Sequence, residues 1–182
     1  MKRLLLTLAF ISGCAGKPEL PIYGTAPEFS LTERSNRTVD RRAMEGKVWI
    51  ADFIFTQCGG TCPVMTTQMR KLQTQLPAEI QFVSFSVDPA HDTPEVLTAY
   101  ANRNGADANR WLFLTGDHDD LYRVSKEGFK LAVDDAEGTP AEPITHSTRF
   151  ALVDRQGQIR GYYGMEDQDA MARLIADAQA LL

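Results

Sequence analysis

The sequence predicts an α/β domain built on a central, mainly parallel β-sheet, and three observations carry that class. Lys47–Phe55 (KVWIADFIF) and Ile80–Val87 (IQFVSFSV) are apolar runs of the length and character of strands buried in a sheet interior. A segment of helical period follows each, so strands and helices alternate and the connections must be crossovers. The chain has 182 residues, 43% apolar and 24% charged, which fits one globular domain and argues against disorder.

The elements follow in order. Phe29–Leu31 and Arg37–Val39 read as an N-terminal β-hairpin around Ser35-Asn36. The Lys47–Phe55 strand carries one polar interruption, Asp52, for which the sequence offers no partner. A helix runs from Cys62 to Leu76, with Pro63 suited to its first turn. Met65, Met69, Leu72 and Leu76 form its apolar stripe, which marks both methionines as core rather than thioether ligands. After Ile80–Val87, Asp92 or Thr93 caps a helix to about Arg103. A strand at Trp111–Leu114, a helix over 117–127 and a strand near Lys130–Val133 come next, then a polar loop over 134–143. Thr148–Val153 and Gln158–Tyr163 form a hairpin about Asp154–Gly157, and a helix starting at Asp167 or Asp169 closes the chain. This order is a thioredoxin-like plan.

The N-terminus has the pattern of a processing signal. Lys2 and Arg3 precede a short apolar run, Leu4–Ile11, well below the roughly 20 residues that span a bilayer. Ile11-Ser12-Gly13-Cys14 resembles a bacterial lipobox, so residues 1–13 are expected as a lipoprotein signal peptide and Cys14 as the lipidated residue. Residues 14–26, rich in proline and glycine, are expected as a tether, and 27–182 as the domain. Export would place the domain outside the cytoplasm on a membrane, facing the periplasm or cell exterior, where disulfides persist. The formal net charge is −5, and losing Lys2 and Arg3 takes it to −7, so no basic face invites nucleic acid.

With Cys14 lipidated, two thiols remain, in Phe55-Thr56-Gln57-Cys58-Gly59-Gly60-Thr61-Cys62-Pro63. The loop joins a central strand to a helix N-terminus, which favours negative charge, so Cys62 is expected to be the more easily ionised thiol. Gly59-Gly60 are expected to give the loop conformations closed to other residues. Three readings stay open for Cys58 and Cys62: a permanent disulfide, a redox pair, or part of a metal site. Of three histidines, His91 and His118 lie in polar, acidic turns and read as solvated. His146 leads into the Phe150–Val153 strand, and on this plan its loop lies beside the cysteines. A Cys₂His set suits copper, and zinc less well, since structural zinc sites usually close with four ligands.

Several separated motifs together resemble the Sco/SenC family of copper-binding, thioredoxin-like cytochrome c oxidase assembly proteins. They are Glu45-Gly46-Lys47 leading into Ala51–Cys58, then Cys62-Pro63, Ser86–Leu97 (SVDPAHDTPEVL), and His146-Ser147 before Ala151–Gly157. The resemblance implies copper held by Cys58, Cys62 and His146. It implies delivery of copper to the dinuclear copper site of a respiratory oxidase subunit, or reduction of that subunit's cysteines, with other copper carriers as partners. On the second reading Cys58 and Cys62 are the catalytic redox pair of a thiol–disulfide oxidoreductase. The chain departs from many members in placing Gly59-Gly60-Thr61 between the cysteines and Thr145 before the histidine.

Overall fold

The structure is a computed structural model that describes residues 19–131, 133–134, 144–165, 167 and 169–182. The signal segment and Cys14 lie outside the described residues, as does most of the 134–143 loop. The strands are β1 (Gly24–Thr25), β2 (Ser30–Glu33), β3 (Thr38–Asp40), β4 (Trp49–Ile54), β5 (Gln81–Ser86), β6 (Trp111–Thr115), β7 (Val133–Asp134), β8 (Thr145–His146), β9 (Arg149–Val153) and β10 (Gln158–Gly164). The helices are α1 (Cys62–Gln75), α2 (Pro94–Arg103), α3 (His118–Tyr122), which runs on into a π-helical turn at Arg123–Gly128, and α4 (Ala170–Ala180).

Eight strands make one sheet in the order β1-β10-β9-β4-β5-β6-β2-β3, and β7 pairs with β8 apart from it. The thioredoxin-like α/β plan holds, but the expectation of a mainly parallel sheet needs correcting. Only β4-β5 and β5-β6 are parallel pairs; β9, β10 and β1 on one side, and β2 and β3 on the other, add antiparallel. The reason is connectivity. Only α1 and α2 serve as crossovers within the sheet's centre, and hairpins close β2-β3 and β9-β10.

Burial follows the sequence pattern. All six residues of β4 are buried, and Phe53 stacks on Phe85 of β5 with centroids 5.2 Å apart. Phe129 meets Phe53 edge-on at 5.6 Å. Each such fully buried aromatic contributes about 1.5–3 kcal/mol of hydrophobic stabilisation. Met65, Met69 and Leu72 are buried along α1 and Leu76 at its C-cap, so the two methionines are core residues as expected. The hairpin turn holds Asn36 at φ 63°, a conformation asparagine tolerates better than most residues. Thr93 Oγ1 accepts the Val96 N–H at 3.4 Å and caps α2, which decides between the two expected caps.

The sheet interior also supplies the partner missing for Asp52. Its Oδ1 accepts the Ser84 hydroxyl at 2.6 Å, and Ser84 Oγ accepts the Trp111 indole N–H at 2.9 Å. The chain of contacts thus crosses β4, β5 and β6 within the parallel core.

Two short strands depart from expectation. Residues 20–26, expected as tether, lie against the domain. Tyr23 donates its N–H to Ile159 O at 2.9 Å, β1 pairs with β10, and Arg160 bonds the carbonyls of Leu20 and Pro21. The unpaired edge of β10 takes up this segment. His146 was expected in a loop, yet it pairs with Val133 as part of β8.

Candidate metal centre

Cys58 belongs to the loop that leaves β4, Cys62 is the first residue of α1, and His146 stands three residues before β9. β9 lies directly beside β4, so the two loop cysteines and the histidine meet at one end of the sheet. Their ligand atoms all lie within 4.8 Å of one another. Cys62 Sγ is 2.9 Å from His146 Nε2, and the two sulfurs are not bonded to each other.

His146 is oriented from two sides. Its Nδ1 lies 3.2 Å from the carbonyl oxygen of Ser147, and its ring meets Phe55 edge-on at 5.7 Å. With the proton on Nδ1 shared to that carbonyl, Nε2 keeps its lone pair toward the sulfurs, the arrangement a metal-binding imidazole needs. A backbone carbonyl thus orients the imidazole from its Nδ1 side. His91 is exposed and bonded through Nδ1 to Asp88 at 2.8 Å, which raises its pKa. His118 pairs with Asp119 and stacks on Tyr122. Neither is part of the Cys–Cys–His group, in accord with the expectation for both.

The thiols reverse one expectation. Cys62 is fully buried, and burial, above all, pushes its pKa well above the usual thiol value. A bond from the Phe55 backbone works the other way and is outweighed, while Cys58 and Asp52 raise it further. The helix N-terminus serves the other sulfur. Thr61, at the cap position, makes no side-chain cap bond, and the Cys62 N–H points to Cys58 Sγ at 3.5 Å. The sequence places Cys62 at the helix start correctly, but a residue's own N–H does not reach back to its own sulfur; it reaches the sulfur one turn before. Gly59 and Gly60 also differ from expectation, since neither has the positive φ found at Gly46, Gly105 and Gly157.

Two buried carboxylates stand behind this site. Asp52 is fully buried, its Oδ2 has no partner among the described residues, and burial pushes its pKa up to about 7. Asp92, also fully buried, accepts Thr56 Oγ1 at 2.5 Å and Ser86 Oγ at 2.6 Å, with the Thr56 N–H 3.2 Å from both its oxygens. In the sequence Asp92 reads as a possible helix cap and as part of the SVDPAHDTPEVL motif. The available signal was that Asp92 and Thr93 compete for one cap, which leaves one of them for another task.

The donor set is two soft sulfurs and one borderline nitrogen, and no carboxylate among the described residues joins it. Such a set suits thiophilic ions, above all copper, and the same two sulfurs are close enough for reversible disulfide chemistry.

Comparison with known proteins agrees with this geometry. A family model described as SCO1/SenC matches residues 21–181. A SCO1/SenC family lipoprotein from Bacillus anthracis str. Ames is 34% identical, with a TM-score of 0.78 over 87% of this chain and 95% of that one. BsSco, described as a member of the Sco family of cytochrome c oxidase assembly proteins with a disulfide switch, is 29% identical. Its TM-score is 0.78 over 90% of this chain and 97% of its own. ScoI from Bradyrhizobium japonicum, solved with copper bound, shares the fold at 19% identity, with a TM-score of 0.72 over 87% of this chain and 99% of that one. The chain belongs to the SCO1/SenC family.

Proposed function

We propose that this protein is a copper metallochaperone whose cargo is held by Cys58 Sγ, Cys62 Sγ and His146 Nε2. The observation that carries the reading is the convergence of those three atoms within 4.8 Å from three separate elements. Both sulfurs lose their protons when the ion is bound, which removes the penalty burial places on a free Cys62 thiolate. Exposed Gly59, Gly60 and Pro63 surround the loop, so a partner's ligands approach from that side and take the ion by exchange. The acceptor is the dinuclear copper site of a respiratory oxidase subunit, and other copper carriers supply the ion. Support comes from BsSco, a member of the Sco family of cytochrome c oxidase assembly proteins, and from the copper bound in the Bradyrhizobium structure.

Lipidation at Cys14 holds the domain on the outer face of a membrane. The support is the lipobox pattern and the description of the Bacillus anthracis relative as a lipoprotein. Among the described residues no helix is long and apolar enough to cross a membrane. Residues 20–26 are bound to the domain, so only the stretch between Cys14 and Leu20 acts as tether, and the domain is held closer to the bilayer than a 14–26 tether implies.

A second reading is thiol–disulfide exchange, favoured by the two unbridged thiols. One thiolate attacks a partner's disulfide, the other resolves the mixed disulfide, and the partner leaves with two electrons as a dithiol. Titrating reduced protein with copper(I) against a chelator of known affinity separates the two. One ion per chain is expected, and His146→Ala is expected to weaken binding at least about 100-fold, the upper end of what losing even an outer-shell partner costs. Unchanged affinity in that variant overturns the ligand assignment. Reduction of a copper-site apoprotein without any transfer of copper makes the exchange reading the correct one.

A further inference from the structure

We infer that Asp92 is the positioning residue of the metal loop, holding Thr56 so that Cys58 faces Cys62 and His146. The inference rests in part on the copper reading. It begins with where regular structure stops. β4 ends at Ile54 and α1 begins at Cys62, so the residues between lack a ladder of their own. Cys58 donates its N–H to Phe55 O at 3.3 Å, which makes residues 55–58 one tight turn. Thr56 is the second residue of that turn, and Asp92 grips both its backbone N–H and its hydroxyl. Fixing Thr56 therefore fixes the turn that carries Cys58.

The grip has a rigid base. Ser86, the last residue of β5, donates its hydroxyl to Asp92 Oδ2 at 2.6 Å and accepts the Asp88 N–H at 3.1 Å. The Asp92 N–H returns to Asp88 O at 2.9 Å, so the turn 88–92 is closed on itself. One carboxylate thereby ties the end of β4, the end of β5 and the start of α2 together. Among the described residues its hydrogen-bond partners are neutral O–H and N–H donors, so it is no half of an ion pair there. Nor is it needed as a cap, since Thr93 caps α2. A fully buried carboxylate is costly unless its lone pairs are filled, and here the donors that fill them come from the strand ends flanking the metal loop. Outer-shell residues that orient ligands typically change metal affinity 10–100-fold when replaced.

The test compares Asp92→Asn, Thr56→Val and Tyr163→Phe with wild type in the full chain. Asp92→Asn keeps the volume but sets an amide N–H₂ against hydroxyl and N–H donors. Thr56→Val removes one of those donors. Tyr163→Phe breaks the 2.6 Å bond to Asp177 at the opposite helix and serves as the purely structural benchmark. Three quantities are read: copper affinity by chelator competition, the thiolate-to-copper(II) absorption band, and the Cys58–Cys62 disulfide equilibrium in glutathione buffer. Asp92→Asn is expected to weaken copper by about 10-fold, shift the band and move the disulfide equilibrium. Thr56→Val moves all three less, in the same direction, while Tyr163→Phe lowers the melting temperature alone. A folded Asp92→Asn protein that moves these readouts no more than Tyr163→Phe overturns the inference. If Asp92→Asn does not fold, an unchanged Thr56→Val protein overturns it. If wild type binds no copper, the metallochaperone reading fails, and the disulfide equilibrium alone decides the role of Asp92.

Discussion

Cys58 and Cys62 share one loop and one candidate ion, yet their surroundings are opposite. Cys58 is 7% exposed beside open glycines, with a helix N–H at its sulfur. Cys62 is 0% exposed, with Asp52 and Tyr100 near enough to interact with it electrostatically and the imidazole of His146 at its sulfur. Both thiols are buried, but Cys58 forms the outer edge of the pair beside exposed Gly59 and Gly60, and Cys62 is the deeper anchor. On the proposed cargo exchange, a partner would meet Cys58 first, and Cys62 with His146 would release last. On the thiol-exchange reading, Cys58 would be the attacking sulfur and Cys62 the resolving one.

The largest effect that bears on this asymmetry lies beneath Cys62. Asp52 has a folded-state pKa of about 7 against an ordinary 3.8, with burial as the main cause. The folded state therefore holds this proton more tightly than the unfolded chain does. Stability from that difference is fully present below the unfolded value and is lost as pH rises through the folded one. Wild type is expected to lose roughly 4 kcal/mol relative to Asp52→Asn between pH 4 and pH 8. Urea unfolding of both proteins across that range checks it. A difference between them that does not change with pH would show that Asp52 is ionised throughout. Because a charged Asp52 also raises Cys62, the Asn variant should bring the Cys62 pKa down.

The contrast in reactivity between the two thiols is the next largest effect. Only the thiolate is nucleophilic, and burial pushes the Cys62 pKa up, so iodoacetamide at pH 8 should label Cys58 faster than Cys62. Peptide mass spectrometry with time reads both rates in one sample. Equal rates would mean that the loop opens far enough to expose Cys62, and the division into edge and anchor would fail.

What the sequence made legible follows the same physical line. α1, α2, β4 and β5 could be placed because each carries its own periodicity, and Pro63 and Pro94 mark helix starts. β1 and β8 could not, because two residues hold no pattern and the strands exist only through their partners β10 and β7. Cys58, Cys62 and His146 were legible as a set through the family resemblance; their residue types and spacing alone left the disulfide, redox and metal readings open, with His146 the one histidine that enters a central strand. Their electrostatics were not, because the burial of Cys62 and the Ser84 partner of Asp52 come from strands and helices distant in sequence. Asp92 was visible in its motif, but its direction depends on Thr56 and Ser86, 36 and 6 residues away.

The smallest effect tests the link between the two thiols. Gly59-Gly60 suggested a loop that needs backbone conformations other residues avoid, yet both are exposed and neither has positive φ. A side chain at Gly60 then meets no left-handed strain, and it restricts the unfolded chain more than the folded one. Gly60→Ala is expected to stabilise the protein by about 0.5 kcal/mol and to leave both alkylation rates and copper affinity unchanged, as urea unfolding, labelling and chelator competition would show. If stability rises while copper affinity falls, the loop must pass through glycine-only conformations when the ion is bound. Cys58 would then be a moving edge rather than a fixed one, and the contrast with the buried Cys62 would be one of mobility as well as exposure.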